Sequence, residues 1–146
     1  MSVRGFPVAN MEKRRKKAAI LLTSYRTKAV RGRNLETAGD CYDIAAQQFV
    51  PLLSRWGRVI QVEREAEALE VAVQHAHRRG FEPIHVSFTA CQDMVFTPSV
   101  PNVVMPFWEY PDVPKEAFDG NPQNNWTATA NRCDLILVVG DFTAEA

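Results

Sequence analysis

Apolar residues along this chain of 146 residues fall into short solid runs, separated by longer stretches in which they recur every three or four positions. Solid apolar runs mark strands buried on both faces, and the wider spacing marks helices with one buried stripe. The first run, Ala18 to Tyr25 (AAILLTSY), predicts a strand, and the polar loop RTKAVRGRNLETAG follows it. From Asp40 to Trp56, Ala45, Phe49, Leu52, Leu53 and Trp56 stand at i, i+4, i+7, i+8 and i+11, which predicts one apolar helix face ended by Gly57. Pro51 lies inside that helix and removes a backbone donor, so a kink or a second start is expected there.

Arg58 to Val62 reads as a second strand, and Glu63 to Arg79 as a second helix with Ala66, Leu69, Val73 and Ala76 on one face and Gly80 closing it. Pro83 to Phe88, Asn102 to Phe107 and Leu135 to Val139 read as three further strands, with a short helix from about Pro122 to Arg132 before the last. The order β-α-β-α-β-β-α-β demands crossover connections. Those give an α/β fold, a Rossmann-like parallel sheet with helices on both faces. Ligands in such sheets sit outside the carboxyl ends of the strands, which directs attention to the segments after Tyr25, Phe88, Phe107 and Val139.

Length and composition fit one domain with one core, since 46% of the residues are hydrophobic and 23% charged. Lys plus Arg and Asp plus Glu are equal at 17 each, so no overall field points to nucleic acid or to an anionic membrane. The run Lys13, Arg14, Arg15, Lys16, Lys17 admits a nucleic-acid or membrane-surface patch, but such a run before a first strand is more often a solvated leader, and a flexible leader over residues 1–17 is expected. The sequence shows neither a signal peptide nor a run long enough to cross a membrane. Cys41, Cys91 and Cys133 are odd in number and form no CxxC pair, which disfavours a disulfide framework and a zinc site and fits a reducing cytoplasm. His75 and His77, two apart on a helix, point to different faces, so no metal is expected there.

Neither GxGxxG nor a GxxxxGK phosphate loop follows the first strand, which argues against a nicotinamide or ATP site, and no cofactor is expected. Arg26, Lys28, Arg31, Gly32 and Arg33 stand there instead. Cations around a glycine suit close approach to phosphate oxygens, and they equally suit a solvated basic loop. After the fourth strand, Trp108 and Glu109 lie between Pro106 and Pro111, whose rings restrict the backbone. An aromatic face beside a carboxylate can stack on a sugar ring and accept its hydroxyl hydrogen bonds; the competing reading has Trp108 plugging the sheet edge and Glu109 exposed. After the fifth strand, Asp141 can cap a helix and Thr143 can offer a hydroxyl to a phosphate.

The strings PNVVMPFWEYPDVP and NNWTATANRCDLILVVGDFTAEA, with SRWGRVIQV earlier, resemble the amino-terminal domain of GT-B glycosyltransferases, especially bacterial retaining ones with sugar-nucleotide donors. The resemblance covers most of the chain from Ala18 onward. Two positions depart from it: the loop after the first strand has Gly32 and Gly39 where relatives often carry a glycine pair, and Asp141 stands where many carry serine. The resemblance implies an acceptor-side domain, residues 18–146, that works with a carboxyl-terminal donor domain. Residues 141–146 open a helical pattern well short of the roughly 12 residues a lone helix needs, so the chain is expected to stop in mid-element, as a fragment or the product of a broken gene. The expected activity is transfer of a sugar from a nucleoside diphosphate to an acceptor hydroxyl. Trp108 and Glu109 would meet acceptor or sugar, Arg31, Gly32 and Arg33 would face phosphate, and Thr143 would start a helix near the cleft; no residue of this chain is assigned to catalysis. The other class compatible with the sequence is a free-standing Rossmann-like binding or regulatory module.

Overall fold

The computed structural model describes residues 17–25, 38–108 and 112–145. The first apolar run forms β1 (Ala18–Thr23), and the reason it is apolar throughout is that both of its faces are covered. Ile20 and Leu22 pack with Tyr42, Ala46 and Leu53 of α1 (Ala38–Leu53), while Leu21 packs on the opposite side with Leu69 and Val73 of α2 (Ala66–Arg78). Burial of such side chains contributes about 1.5 to 3 kcal/mol each, and this alternation places the core in two layers, one on each side of β1.

Strands β2 (Gly57–Gln61), β3 (Glu82–Ser87), β4 (Asn102–Val104) and β5 (Leu135–Ile136) complete a five-stranded sheet in the order β2-β1-β3-β4-β5. All four pairings are parallel. The expected α/β architecture, a Rossmann-like parallel sheet with helices on both faces, is therefore present. Because β1 lies between β2 and β3, the chain leaves β1 toward one side of the sheet and later returns on the other, which makes the β1/β3 boundary the switch point.

Three local expectations are corrected. The buried stripe of α1 runs through Tyr42, Ala46 and Leu53, whereas Leu52 and Trp56 are exposed, Trp56 to 70%. The helix ends at Leu53, so Trp56 lies beyond it in a turn closed by its backbone N–H on the Leu53 carbonyl. Pro51 falls in the last turn of a single helix, where its missing donor costs one bond, so the second start allowed there does not occur. Gly57 is the first residue of β2 and not a helix cap: a Cβ there would lie 2.6 Å from the Ala18 carbonyl oxygen, so glycine is needed to let β2 approach β1. Gly80, by contrast, has φ 79° and closes α2 as expected.

The connection from β3 to β4 carries only a short 3-10 turn (Cys91–Asp93, η1) where a helix usually covers the sheet. It passes from one core layer to the other, with Cys91 and Met94 in the α1 layer and Val95 and Val100 in the α2 layer. Beyond that turn it borrows partners from Asn102: the side-chain amide donates to the Thr97 and Val100 carbonyls at 2.8 and 3.0 Å, and its oxygen accepts from the Thr97 N–H at 3.1 Å. After β4 come a 3-10 turn (Pro122–Asn124, η2), the short α3 (Trp126–Ala130) and, beyond β5, α4 (Asp141–Glu145). β5 is shorter than expected and exposed, with Leu135 at 52%. Among the described residues no helix is long and apolar enough to cross a membrane.

Candidate functional site

The carboxyl ends of β1, β3 and β4 converge on a set of aromatic side chains. Tyr25, just past β1, donates its hydroxyl to Asp93 Oδ2 at 2.6 Å and accepts from the Ala90 N–H at 3.2 Å, tying the switch point across both strands. Burial, and next the hydrogen bond to the Asp93 carboxylate, push the Tyr25 phenol well above its ordinary range, so it stays protonated. The Arg64 guanidinium lies 5.0 Å from the centre of the Tyr25 ring and donates from Nη1 to the Asp93 carbonyl at 2.7 Å. Its Nε is buried without a hydrogen-bond partner among the described residues.

The next layer is held by Tyr42 from α1. Its hydroxyl donates to the Phe107 carbonyl and accepts from the Phe107 N–H, both at 3.1 Å, so one side chain clamps the segment leaving β4. Its ring meets Tyr25 edge-on at 5.4 Å and Phe107 at 4.9 Å. Such pairs add about 0.5 to 1.5 kcal/mol beyond burial and fix the direction in which the chain departs toward Trp108.

Trp108 is half-buried, donates its indole N–H to the Asp112 carbonyl at 3.0 Å, and sets its ring 4.3 Å from that of Trp126. Trp126 is presented by α3, which starts there because Asn125 caps it, accepting from the Ala128 N–H at 2.9 Å. The Trp126 indole N–H donates to Gln92 Oε1. Beside these two packed indoles, which form part of its wall, opens a cavity of about 230 Å³ lined also by Cys91, Pro106, Val113 and Ile136, with Thr127 and Asn131 supplying polar groups. A dry cavity of ~150 Å³ holds one benzene ring, so this one admits a single ring with a substituent. Its lining is apolar and aromatic with an amide and a hydroxyl. Cys91 offers no nucleophile: burial pushes its thiol up to about 12, and that of Cys133 to about 11.

A second polar cluster lies on the α2 side of the sheet. His85, fully buried, is bonded through Nε2 to the Thr23 hydroxyl at 2.8 Å and through Nδ1 to Asn102 Oδ1 at 3.1 Å. Beyond it, Thr97 and Ser99 bond the Glu70 carboxylate. Every member faces another protein group, which marks it as structural.

Of the expected site residues, Trp108 stands in the cavity wall and is brought beside Cys91 from the end of β3. Glu109, Arg31, Gly32 and Arg33 lie outside the described residues. Thr143 is the third residue of α4, beyond β5 and away from the β1/β3 boundary in strand order. His75 and His77 are exposed in the last turn of α2, beside its negative end. Sequence reasoning missed Arg64, Asp93, Tyr42 and Trp126. Arg64 was accessible in principle, because it follows a strand's carboxyl end as the searched segments do. Trp126 carried a weaker signal, the helix cap Asn125 just before it. No protein-family model, curated protein or solved structure matches this chain.

Proposed function

We propose that this chain is the acceptor side of a glycosyltransferase that transfers a sugar from a nucleoside diphosphate sugar to an acceptor hydroxyl. The observation that carries the reading is the cavity walled by Trp108 and Trp126, built from segments that follow β3 and β4 together with β5 and α3. The half-exposed indole of Trp108 offers aromatic surface to a ring, and Asn131 and Thr127 offer hydrogen bonds to hydroxyls. In this reading Trp108 and Glu109 hold the acceptor, the cations around Gly32 meet phosphate, and a separate donor domain carries most of the groups that stabilise the leaving diphosphate.

Saturation-transfer nuclear magnetic resonance with phenyl glycosides and with uridine and guanosine diphosphate sugars tests it. Magnetisation should pass to the glycoside ring and be lost in Trp108→Ala. Micromolar binding of a sugar nucleotide to this chain, or no contact with any glycoside, would overturn the assignment and leave a binding module of another kind.

A further inference from the structure

The opposite pole of the sheet, where the strands begin and α1 and α2 end, carries a feature that the proposed function does not use. Trp56 is 70% exposed there, in the turn between α1 and β2, with Leu52 exposed one turn back. It borders an open cleft of about 690 Å³ that Lys17, Arg55, Arg58 and Phe81 also line. Arg78 and Arg79 extend the basic surface from the end of α2, which Gly80 joins to Phe81. In sequence, Lys13, Arg14, Arg15 and Lys16 immediately precede Lys17. Among the described residues, Glu82 at the start of β3 and Asp134 just before β5 bring carboxylates to this pole, and that of Asp134 accepts from the Asn102 N–H at 2.7 Å. The chain as a whole is neutral, so this concentration of cations is local.

We propose that this pole docks on an anionic lipid surface, Trp56 and Leu52 entering the headgroup boundary while Lys17, Arg55 and Arg58 meet lipid phosphates and carboxylates. Trp56 is spent on neither core nor catalysis, and an indole with an apolar body and a polar N–H is suited to that boundary. Charge complementarity names the occupant: clustered Lys and Arg beside an exposed aromatic and an aliphatic side chain are the attributes of peripheral binding to acidic leaflets. A single-stranded nucleic acid would also meet the cations and stack a base on Trp56, but it would leave the exposed Leu52 without an apolar partner, which a lipid boundary supplies.

Flotation of the whole chain with phosphatidylcholine vesicles, with and without phosphatidylserine, tests this. Binding is expected only with phosphatidylserine, with release as salt rises and a blue shift of Trp56 fluorescence that Trp56→Ala removes. Arg55→Gln and Arg58→Gln should each weaken binding about fivefold, and the double substitution by Lys should restore it, with circular dichroism unchanged throughout. Equal binding to both vesicle types, binding to neither, full binding by the Gln variants, or preference for a single-stranded oligonucleotide over the vesicles would each overturn it.

Discussion

Asn102 sets the tautomer of His85. The Asn102 amide donates to the Thr97 and Val100 carbonyls, so its oxygen is the atom facing His85, and His85 Nδ1 must carry the proton. Nε2 is left to accept from the Thr23 hydroxyl, and the neutral ring joins β1, β3 and β4 in one line.

Burial holds the His85 imidazole below its ordinary value of 6.5, against a smaller opposing effect of the Asn102 bond. The unfolded chain therefore binds the proton more readily than the folded one. The stability contributed by neutral His85 is complete above about pH 6.5 and is lost as pH falls toward the folded value. Melting temperature should decline from pH 7 to pH 5 in the native chain and decline less in His85→Gln. Parallel curves for the two proteins would show that another group drives the loss.

Removing the hub has a larger consequence. Asn102→Ala strands the Thr97 N–H, the His85 Nδ1–H and two buried carbonyls, each costing about 1 to 3 kcal/mol if water cannot reach it. A loss of at least about 3 kcal/mol is expected from urea unfolding. Asn102→Asp should be nearly as costly, since a carboxylate keeps the acceptor but turns it against the Thr97 and Val100 carbonyls. An Asp variant as stable as the native chain would contradict the role given to the amide donors.

The position of Asn102 also shows what the sequence could and could not reveal. Every strand and both long helices were legible, because burial on two faces writes solid apolar runs and burial on one face writes a spaced stripe. The helix-free crossover after β3 was legible only as the lack of a helical pattern; the polar groups satisfying it were not, since Asn102, Thr97 and His85 are joined by pairing across strands and not by spacing. Trp56 misled for a related reason: it continues the α1 stripe in sequence, but the helix stops before reaching it. Of the candidate site, only Trp108 was marked in advance, by proline on both sides; its partner Trp126 arrives from a different element.

Gly57 gives a direct test of strand approach. In Gly57→Ala the new methyl would meet the backbone of Ala18, which cannot rotate away as a side chain would, so β2 must shift from β1. A cost of about 1 to 3 kcal/mol is expected. Gly80→Ala meets open space and should cost less, only the strain of a left-handed conformation at φ 79°. Equal melting temperatures for the two variants would remove the steric argument.

Cysteine labelling tests the core assignment. Cys41 is exposed, Cys133 is half-buried and Cys91 is buried with its thiol held protonated. At neutral pH iodoacetamide should modify Cys41 quickly, Cys133 slowly and Cys91 only with unfolding, as read by peptide mass. Rapid modification of Cys91 would mean that the floor of the cavity is open.

Trp108 allows packing and binding to be separated. Its ring rests on Trp126 and its N–H holds the Asp112 carbonyl, so both the wall of the cavity and the path of the chain after β4 depend on it. Trp108→Phe keeps an aromatic face and loses the hydrogen bond, with an expected cost of about 1 kcal/mol. Trp108→Ala removes the face as well; a fully buried tryptophan would cost about 3 to 5 kcal/mol, and this half-buried one should cost about 2. If the indole serves only as packing, glycoside contact measured by saturation transfer should be the same in all three proteins under conditions where each is folded. If it stacks on the acceptor ring, contact should persist in Trp108→Phe and vanish in Trp108→Ala. Contact that survives in Trp108→Ala would leave the stability argument standing and remove Trp108 from the acceptor site.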